Sequence, residues 1–522
     1  LPGNMGQGGL LTERDREWFQ KEKQALSPGA KEKTYIQKFY LYMNLTKPEE
    51  FLHISYSKVS SDGKTLRPAY LVWDLKKLFP KLVVTEEEAL LMTQRELTLG
   101  EGLEFVIRGV RDRYLGVDES WKELYTWYRQ NEGQKVDRIL DAGFFKKKPD
   151  ALTGEEAAEL YGEKKQFSVT RMERFSACAY AHFLTYGLHL SDRERYEFEA
   201  MDLGNIAHQS MERFARKAQE KRMPWPKLEE VQRDAMIEES VEESIKDYGN
   251  TVLYSTARNE YMIVRIKQLI RRSVWALTRQ MEKGDFEPSG YEMNFGSGKI
   301  DRIDTCEDED VVYVKVTDYK TGMKSFDIVA LYHGLQMQLP VYLNAALELE
   351  ERRAPGKTVE PAGIFYYRIK DPIVDREKDD HALEEKILKE LRLDGMINAK
   401  EEVIEHLEHQ LSGTSVLNPI GKNKDGSLNR YSKVLPPEAF AAMLSYTKKK
   451  EAQVKRQIYA GEVQANPYEL NGSTGCDYCA YRDICGFDPR LDGYAYRSLE
   501  KYSKEEVIRR MEEEIENREE PS

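Results

Sequence analysis

At 522 residues the chain is long enough for two or three domains, each burying its own core. Its 79 Lys and Arg against 91 Asp and Glu leave a net charge of −12, which excludes a generally basic nucleic-acid coat and confines any such contact to a local channel or a surface shared with a partner. No run of about 18 apolar residues is present to cross a membrane, and five cysteines are too few for a disulfide scaffold.

The opening LPGNMGQGGLL lacks the basic and apolar regions of a signal peptide, so the chain reads as a piece of something longer, with a cytoplasmic location expected. Thr12 is a candidate N-cap for a helix over residues 11–25. Residues 39–57, FYLYMNLTKPEEFLHISYS, read as a helix joined to a strand. No GxxxxGK(S/T) phosphate loop occurs, so ATP hydrolysis by this chain alone is not expected. Residues 86–145 carry apolar positions at helical spacing, with Trp121, Tyr125 and Trp127 as expected anchors.

Polar residues 146–156 read as a linker, with a new domain starting near Gln166. FSVTRMERFSACAYAHFLTYGLHL predicts an amphipathic helix containing Cys178. In MDLGNIAHQSMERFARKA, His208 falls one helical turn beyond Gly204.

Residues 298–320, GKIDRIDTCEDEDVVYVKVTDYK, predict a β-hairpin. The β-branched and aromatic run through Val311, Val312, Tyr313, Val314 and Val316 is a strand, and the acidic cluster before it marks the turn. Alternation puts Asp318 and Lys320 on one face, their Cα atoms roughly 6.6 Å apart. A turn centred on Glu309 and Asp310 sets Asp301 opposite Asp318. Two facing carboxylates repel, and a divalent cation resolves the conflict; oxygen ligands suit Mg²⁺.

Beyond the hairpin, LYHGLQMQLPVYLNAALELE places Gln338 and Tyr342 at i and i+4 on one helix face, with Pro340 expected to kink it. His406 and His409 lie in a Glu-rich stretch that reads as a solvated helix. GKNKDGSLNRYSK is a basic loop with one aromatic, a weak phosphate-contact candidate. Cys476, Cys479 and Cys485 form one compact motif, and Cys178 is the natural fourth ligand. Cys306 is left out because a ligand role would drag the hairpin toward the C-terminus. The four suit zinc or a [4Fe–4S] cluster, and spacing does not decide between them.

An Asp on one strand followed by Asp318-Tyr319-Lys320 on the next resembles the PD-(D/E)XK nuclease superfamily. His208 after Gly204 resembles the GxxxH motif of RecB-type nucleases, and Gln338 with Tyr342 the QxxxY motif. One distant cysteine ahead of the core and three behind it resemble the iron–sulfur nucleases of the AddB family, although Ala179 stands where that family usually has Pro. Residues 39–57 resemble the sixth motif of superfamily 1 helicases, with Lys47 in place of the arginine that contacts the γ-phosphate.

The resemblance implies an α/β, restriction-endonuclease-like core with a mixed sheet flanked by helices. A helicase-like α/β and helical remnant would occupy residues 1–150, the nuclease domain 151–490, and an acidic helix or tail 491–522. It implies catalytic roles for Asp301, Asp318, Lys320, Gln338 and Tyr342, Mg²⁺ on His208, Asp301 and Asp318, and a [4Fe–4S] cluster on Cys178, Cys476, Cys479 and Cys485. It further implies DNA ends as substrate, the 5′-terminated strand as the one degraded, and the AddA helicase–nuclease as partner. Two rival readings are a stand-alone RecB-like nuclease and a nuclease fold that only grips DNA. The intact Asp, Asp and Lys set argues against the second, and the helicase-like segment against the first.

Overall fold

A computed structural model describes residues 11–22, 24, 26–60, 63–86, 97–113, 119–144, 151–162, 167–191, 193, 198–248, 251–296, 298–377 and 379–516. Gln166, the first half of the expected linker and the tail beyond Glu516 lie outside them. The chain divides into two compact units, residues 1–143 and 144–522. Among the described residues no helix is long and apolar enough to cross a membrane.

The first unit is helical: α1 (Glu13–Lys21), α2 (Ala30–Thr46), α3 (Tyr70–Leu78), α4 (Leu99–Asp112), α5 (Trp121–Asn131) and α6 (Gly133–Gly143). Thr12 caps α1 as expected, its hydroxyl accepting from the Asp15 N–H while the Asp15 carboxylate accepts from the Thr12 N–H. Two expectations fail here. Residues 51–57 form no strand, because their backbone finds no ladder partner among the described residues; the pairing nearby is a lone bridge from Val59 to Thr65. Trp127 is 44% exposed, and the small core of this unit closes instead around Val106, Tyr128 and Val136. Trp121 reaches it by lying on Gly109, where a Cβ would sit 2.1 Å from the indole.

The second unit begins with α7 (Gly154–Tyr161), α8 (Val169–Ala177) and α9 (Ala179–His182), followed by the long helices α10 (Ala200–Glu220), α11 (Glu230–Tyr248) and α12 (Ala257–Met281). A six-stranded sheet comes next: β1 (Glu287–Phe295), β2 (Gly298–Asp308), β3 (Val311–Lys320), β4 (Thr358–Arg368), β5 (Asp394–Asn398) and β6 (Val434–Leu435), paired in chain order. Helices α13 (Ile328–Tyr332) and α14 (Gln338–Arg353) cross from β3 to β4, and α15 (Asp380–Glu390) and α16 (Glu401–Leu407) flank β5. After α17 (Pro437–Tyr459), short strands β7 (Tyr468–Leu470), β8 (Ser473–Thr474) and β9 (Arg497–Ser498) make a second sheet around α18 (Arg482–Cys485), and α19 (Lys504–Glu516) follows.

The main sheet is mixed, with β3–β4 and β5–β6 parallel and the other pairs antiparallel. That is the expected α/β class with helices on both faces. Val312, Val314 and Val316 face the α8, α14 and α17 side, whereas Tyr313 and Tyr319 face the α10–α12 side. Three charges lie between sheet and helices on the second face: Arg302, Asp304 and Lys315 are at most 4% exposed, with Asp304 2.6 Å from Arg302 and 3.4 Å from Lys315.

Two helix expectations need correcting. Pro340 does not kink a long helix, because α14 begins at Gln338 and the proline sits in its first turn, where the missing N–H has no intrahelical acceptor. The helix expected to run through Cys178 is interrupted there: Cys178 is extended, with φ −165°, and separates α8 from α9.

Candidate active site and cysteine cluster

The β2–β3 turn falls on Glu309 and Asp310, with Glu309 at φ +42°. Its register pairs Asp308 with Val311 and Arg302 with Thr317, so the next residues outward are Asp301 and Asp318. Asp301 leaves the ladder by side chain: its Oδ2 accepts the Tyr319 N–H at 2.7 Å and lies 3.3 Å from Nδ1 of His208 on α10. Gly204 makes the approach of α10 possible, since its Cα faces Thr321, whose hydroxyl would stand 3.3 Å from a Cβ.

Asp318 is 1% exposed and ion-paired with Lys320. Its other oxygen accepts from Nε2 of Gln338 at 2.9 Å, and the same amide nitrogen lies 2.9 Å from the Tyr342 hydroxyl. The i, i+4 spacing therefore brings Gln338 and Tyr342 to one carboxylate. Burial and the charge of Asp301 push Asp318 up to about 7, against the pull of Lys320. Burial lowers His208, but its hydrogen bond to Asp301 and the two aspartate charges outweigh that and hold it above the ordinary histidine value.

Two residues of the site escape a reading of the sequence. The first, Glu292 on β1, converges with His208 and Asp301 so that one ligand atom of each lies within 4.8 Å of the others. Burial, followed by the charge of Asp301, raises the Glu292 carboxyl, and Lys299 stands 2.6 Å from it. Glu292 has φ +48°, just past the bulge at Gly290, and no local spacing rule predicts where such a kinked strand aims a side chain. The three line a cleft of about 480 Å³ with Glu212, Lys299 and Thr321. Asp318 stands outside that set of three, on the Lys320 side. Hard oxygen donors with one imidazole are the donor set a magnesium-class ion accepts.

The second is Glu173 of α8, behind α14, which accepts the main-chain N–H groups of Met337 and Gln338 at 2.7 and 3.0 Å. It anchors the start of the helix that carries Gln338. Neither spacing nor charge pattern marks it among the many acidic residues.

The four cysteines of the expected cluster are free thiols. Cys178 is buried with Ala181, Leu184 and Tyr481, and Cys479 packs beside them. The segment is stitched across the chain: the Ala179 N–H donates to the Asn466 side chain at 3.0 Å, the Tyr180 N–H to the Gln464 carbonyl at 2.9 Å, and Arg497 to the Ser176 carbonyl. Gly475 leaves no room for a side chain, as a Cβ would lie 2.8 Å from the Ala177 carbonyl oxygen. Burial, then the neighbouring Cys178 thiol, raise Cys476. Among the described residues, neither of the two triplets of ligand atoms that converge within 4.8 Å is drawn from these cysteines.

His406 and His409 are not simply solvated: both contact Asp285, at 2.8 and 2.9 Å. The basic loop is pinned rather than loose, with Lys422 bridged to Leu428 and Gly421 bonded to a buried Ser432.

A sheet that presents paired aspartates, a lysine two residues on, a helix-borne histidine and a Gln-Tyr pair at one edge defines a nuclease-type fold. The chain matches the family model of the PD-(D/E)XK nuclease superfamily over residues 166–486, and it belongs to that superfamily. It is 37% identical over 520 residues to the AddB-type component of the ATP-dependent helicase/deoxyribonuclease of Lachnoclostridium phytofermentans, covering 96% of this chain and 45% of that protein. The proteins of the same name from Alkaliphilus oremlandii and Alkaliphilus metalliredigens are 31% and 30% identical, covering 99% and 98% of this chain and 48% and 47% of their own. The chain thus resembles AddB and spans a little under half the length of these relatives.

Proposed function

We propose that this chain is the nuclease-bearing part of a helicase–nuclease and hydrolyses DNA phosphodiesters with Mg²⁺ at broken DNA ends. The observation that carries the reading is the convergence of His208, Glu292 and Asp301 beside the Asp318–Lys320 pair. A divalent ion bound by His208, Asp301 and Asp318, with Glu292 as an added ligand, would supply charge stabilisation to the phosphoryl group and order the attacking water. Asp301 is held for this by the Tyr319 N–H, which fixes one oxygen. Lys320 keeps a fixed positive charge beside Asp318 and positions the water against the phosphate. Gln338 and Tyr342 orient Asp318 and face the DNA backbone.

The partner in this reading is an AddA-type helicase–nuclease and the degraded strand the 5′-terminated one, as the names and motifs of the relatives suggest. The first unit serves as a helicase-like remnant without ATP hydrolysis. Cys178, Cys476, Cys479 and Cys485 hold a [4Fe–4S] cluster that clamps the two ends of the nuclease core. Their wide spacing favours a cubane over zinc, whose ligands must approach more closely.

The test is cleavage of end-labelled single-stranded DNA with and without Mg²⁺. Asp301→Ala, Asp318→Ala and Lys320→Ala should each lower the rate by about 10²-fold or more while the protein stays folded. Near-wild-type cleavage by either Asp variant would sink the assignment.

A further inference from the structure

At the turn end of the β2–β3 hairpin, far along the strands from Asp301, stands a second set of ligand-type side chains. One ligand atom each from Asp285, Cys306 and His406 lies within 4.8 Å of the other two. Asp285 is in the α12–β1 loop, Cys306 on β2 opposite Tyr313, and His406 in the last turn of α16. His409 completes the set, its Nε2 2.9 Å from Oδ1 of Asp285 while His406 Nδ1 is 2.8 Å from Oδ2. We propose that Asp285, Cys306, His406 and His409 form a structural zinc site that ties the α12–β1 loop and α16 to the hairpin.

The chemistry of the donors selects the ion. One thiolate, two imidazoles and one carboxylate match the ligand types and the number of a closed tetrahedral zinc site, and a thiolate disfavours magnesium or calcium. Zinc ligands at about 2.0 to 2.3 Å lie roughly 3.3 to 3.7 Å from one another, so three donors already within 4.8 Å need only a small contraction. Cys306 is 4% exposed and reaches the ion from the sheet, while Asp285 and His409, each with 44% of its side chain exposed, leave a path for the ion from solvent.

The backbone holds these elements together independently of the side chains. The Asp285 N–H donates to the His406 carbonyl at 2.8 Å and the His409 N–H to the Lys283 carbonyl at 2.7 Å. Gly284 permits that contact, since a Cβ there would stand 2.4 Å from the His406 oxygen. With the ion on Nδ1 of His406, its Nε2–H is left to donate to Asp308, whose Oδ2 is 3.4 Å away. A ligand histidine whose second nitrogen meets a carboxylate is the arrangement that fixes ring orientation and tautomer in zinc sites.

The experiment is zinc and iron content of the full chain after dialysis against a weak chelator, followed by titration with zinc alone. Wild type should retain one more equivalent of zinc than Cys306→Ser, with equal iron in both. On replacement by cobalt(II), the thiolate-to-cobalt absorption attributable to that equivalent should vanish in Cys306→Ser. Asp308→Asn, a conservative change on an exposed side chain, should fold normally and weaken the site about 10- to 100-fold. Equal zinc in wild type, Cys306→Ser and Asp308→Asn, at unchanged affinity, would overturn the site and leave Asp285 as the shared ion-pair partner of two histidines.

Discussion

The carboxylate of Glu173 accepts the main-chain N–H of Gln338 at 3.0 Å, 165 residues away in sequence, and that glutamine's side chain donates to Asp318. Glu173 lies on α8, the helix that ends at Cys178. A single short helix therefore connects the cysteine set to the carboxylate at the proposed catalytic centre.

Removing that acceptor leaves two N–H groups at the start of α14 without a partner, a loss of about 1 to 3 kcal/mol for buried donors. Glu173→Ala should lower the midpoint of thermal unfolding and cut DNA cleavage about 10-fold, with Glu173→Gln between it and wild type. Wild-type cleavage by Glu173→Ala would show that α14 needs no anchor there.

An aspartate ordinarily near 3.8 that burial and a neighbouring carboxylate push up to about 7 binds its proton more tightly in the folded chain than in the unfolded one. For metal-free protein this makes stability fall as pH rises from about 4 to about 7. Mg²⁺ competes with that proton, and with the one on His208, so its stabilising effect should be larger at pH 8 than at pH 6. Melting curves with and without Mg²⁺ at the two pH values test this, and an equal or larger gain at pH 6 would contradict it.

Among the described residues Asp304 is the counter-charge to two buried cations on the helix-covered face of the hairpin, Arg302 and Lys315. Breaking such a set by removing one partner typically costs about 3 to 5 kcal/mol. Asp304→Ala should show that loss in urea unfolding, and a change below about 1 kcal/mol would mean that water or rearrangement compensates.

Cys178→Ala should abolish the brown colour and acid-labile sulfide of anaerobically prepared protein, lower its thermal stability and weaken binding to DNA ends. Cys306→Ser should keep the colour. A preparation in which the four cysteines carry zinc, with neither iron nor sulfide, would replace the cluster but not the clamp.

The hairpin is legible in the sequence because its signals are local: an acidic turn that cannot be buried, a β-branched strand, and a register counted from Glu309 and Asp310. The Gln338–Tyr342 spacing is legible for the same reason. What the sequence hides depends on partners distant in the chain. Glu292 is aimed by a kinked backbone, Glu173 by the docking of α8 on α14, and Asp285 by its backbone contact with α16. Residues 51–57 carry the composition of a strand, yet a strand exists only where a second edge is offered. Pro340 reads as a kink because the break after Tyr332, which makes it a first-turn residue, leaves no strong mark in LYHGLQMQLP.

The contact between Arg497 and the Ser176 carbonyl joins residues 321 positions apart. At a synthesis rate of about 5 to 20 residues per second, Ser176 precedes Arg497 out of the ribosome by roughly 16 to 64 s. Throughout that interval α8 lacks the later elements that hold its end, so a nascent or prematurely terminated chain is a sheet whose cutting edge is not yet braced. A hydrolase built this way is completed only once the segment around Arg497 is made, which keeps half-finished copies from acting on the chromosome.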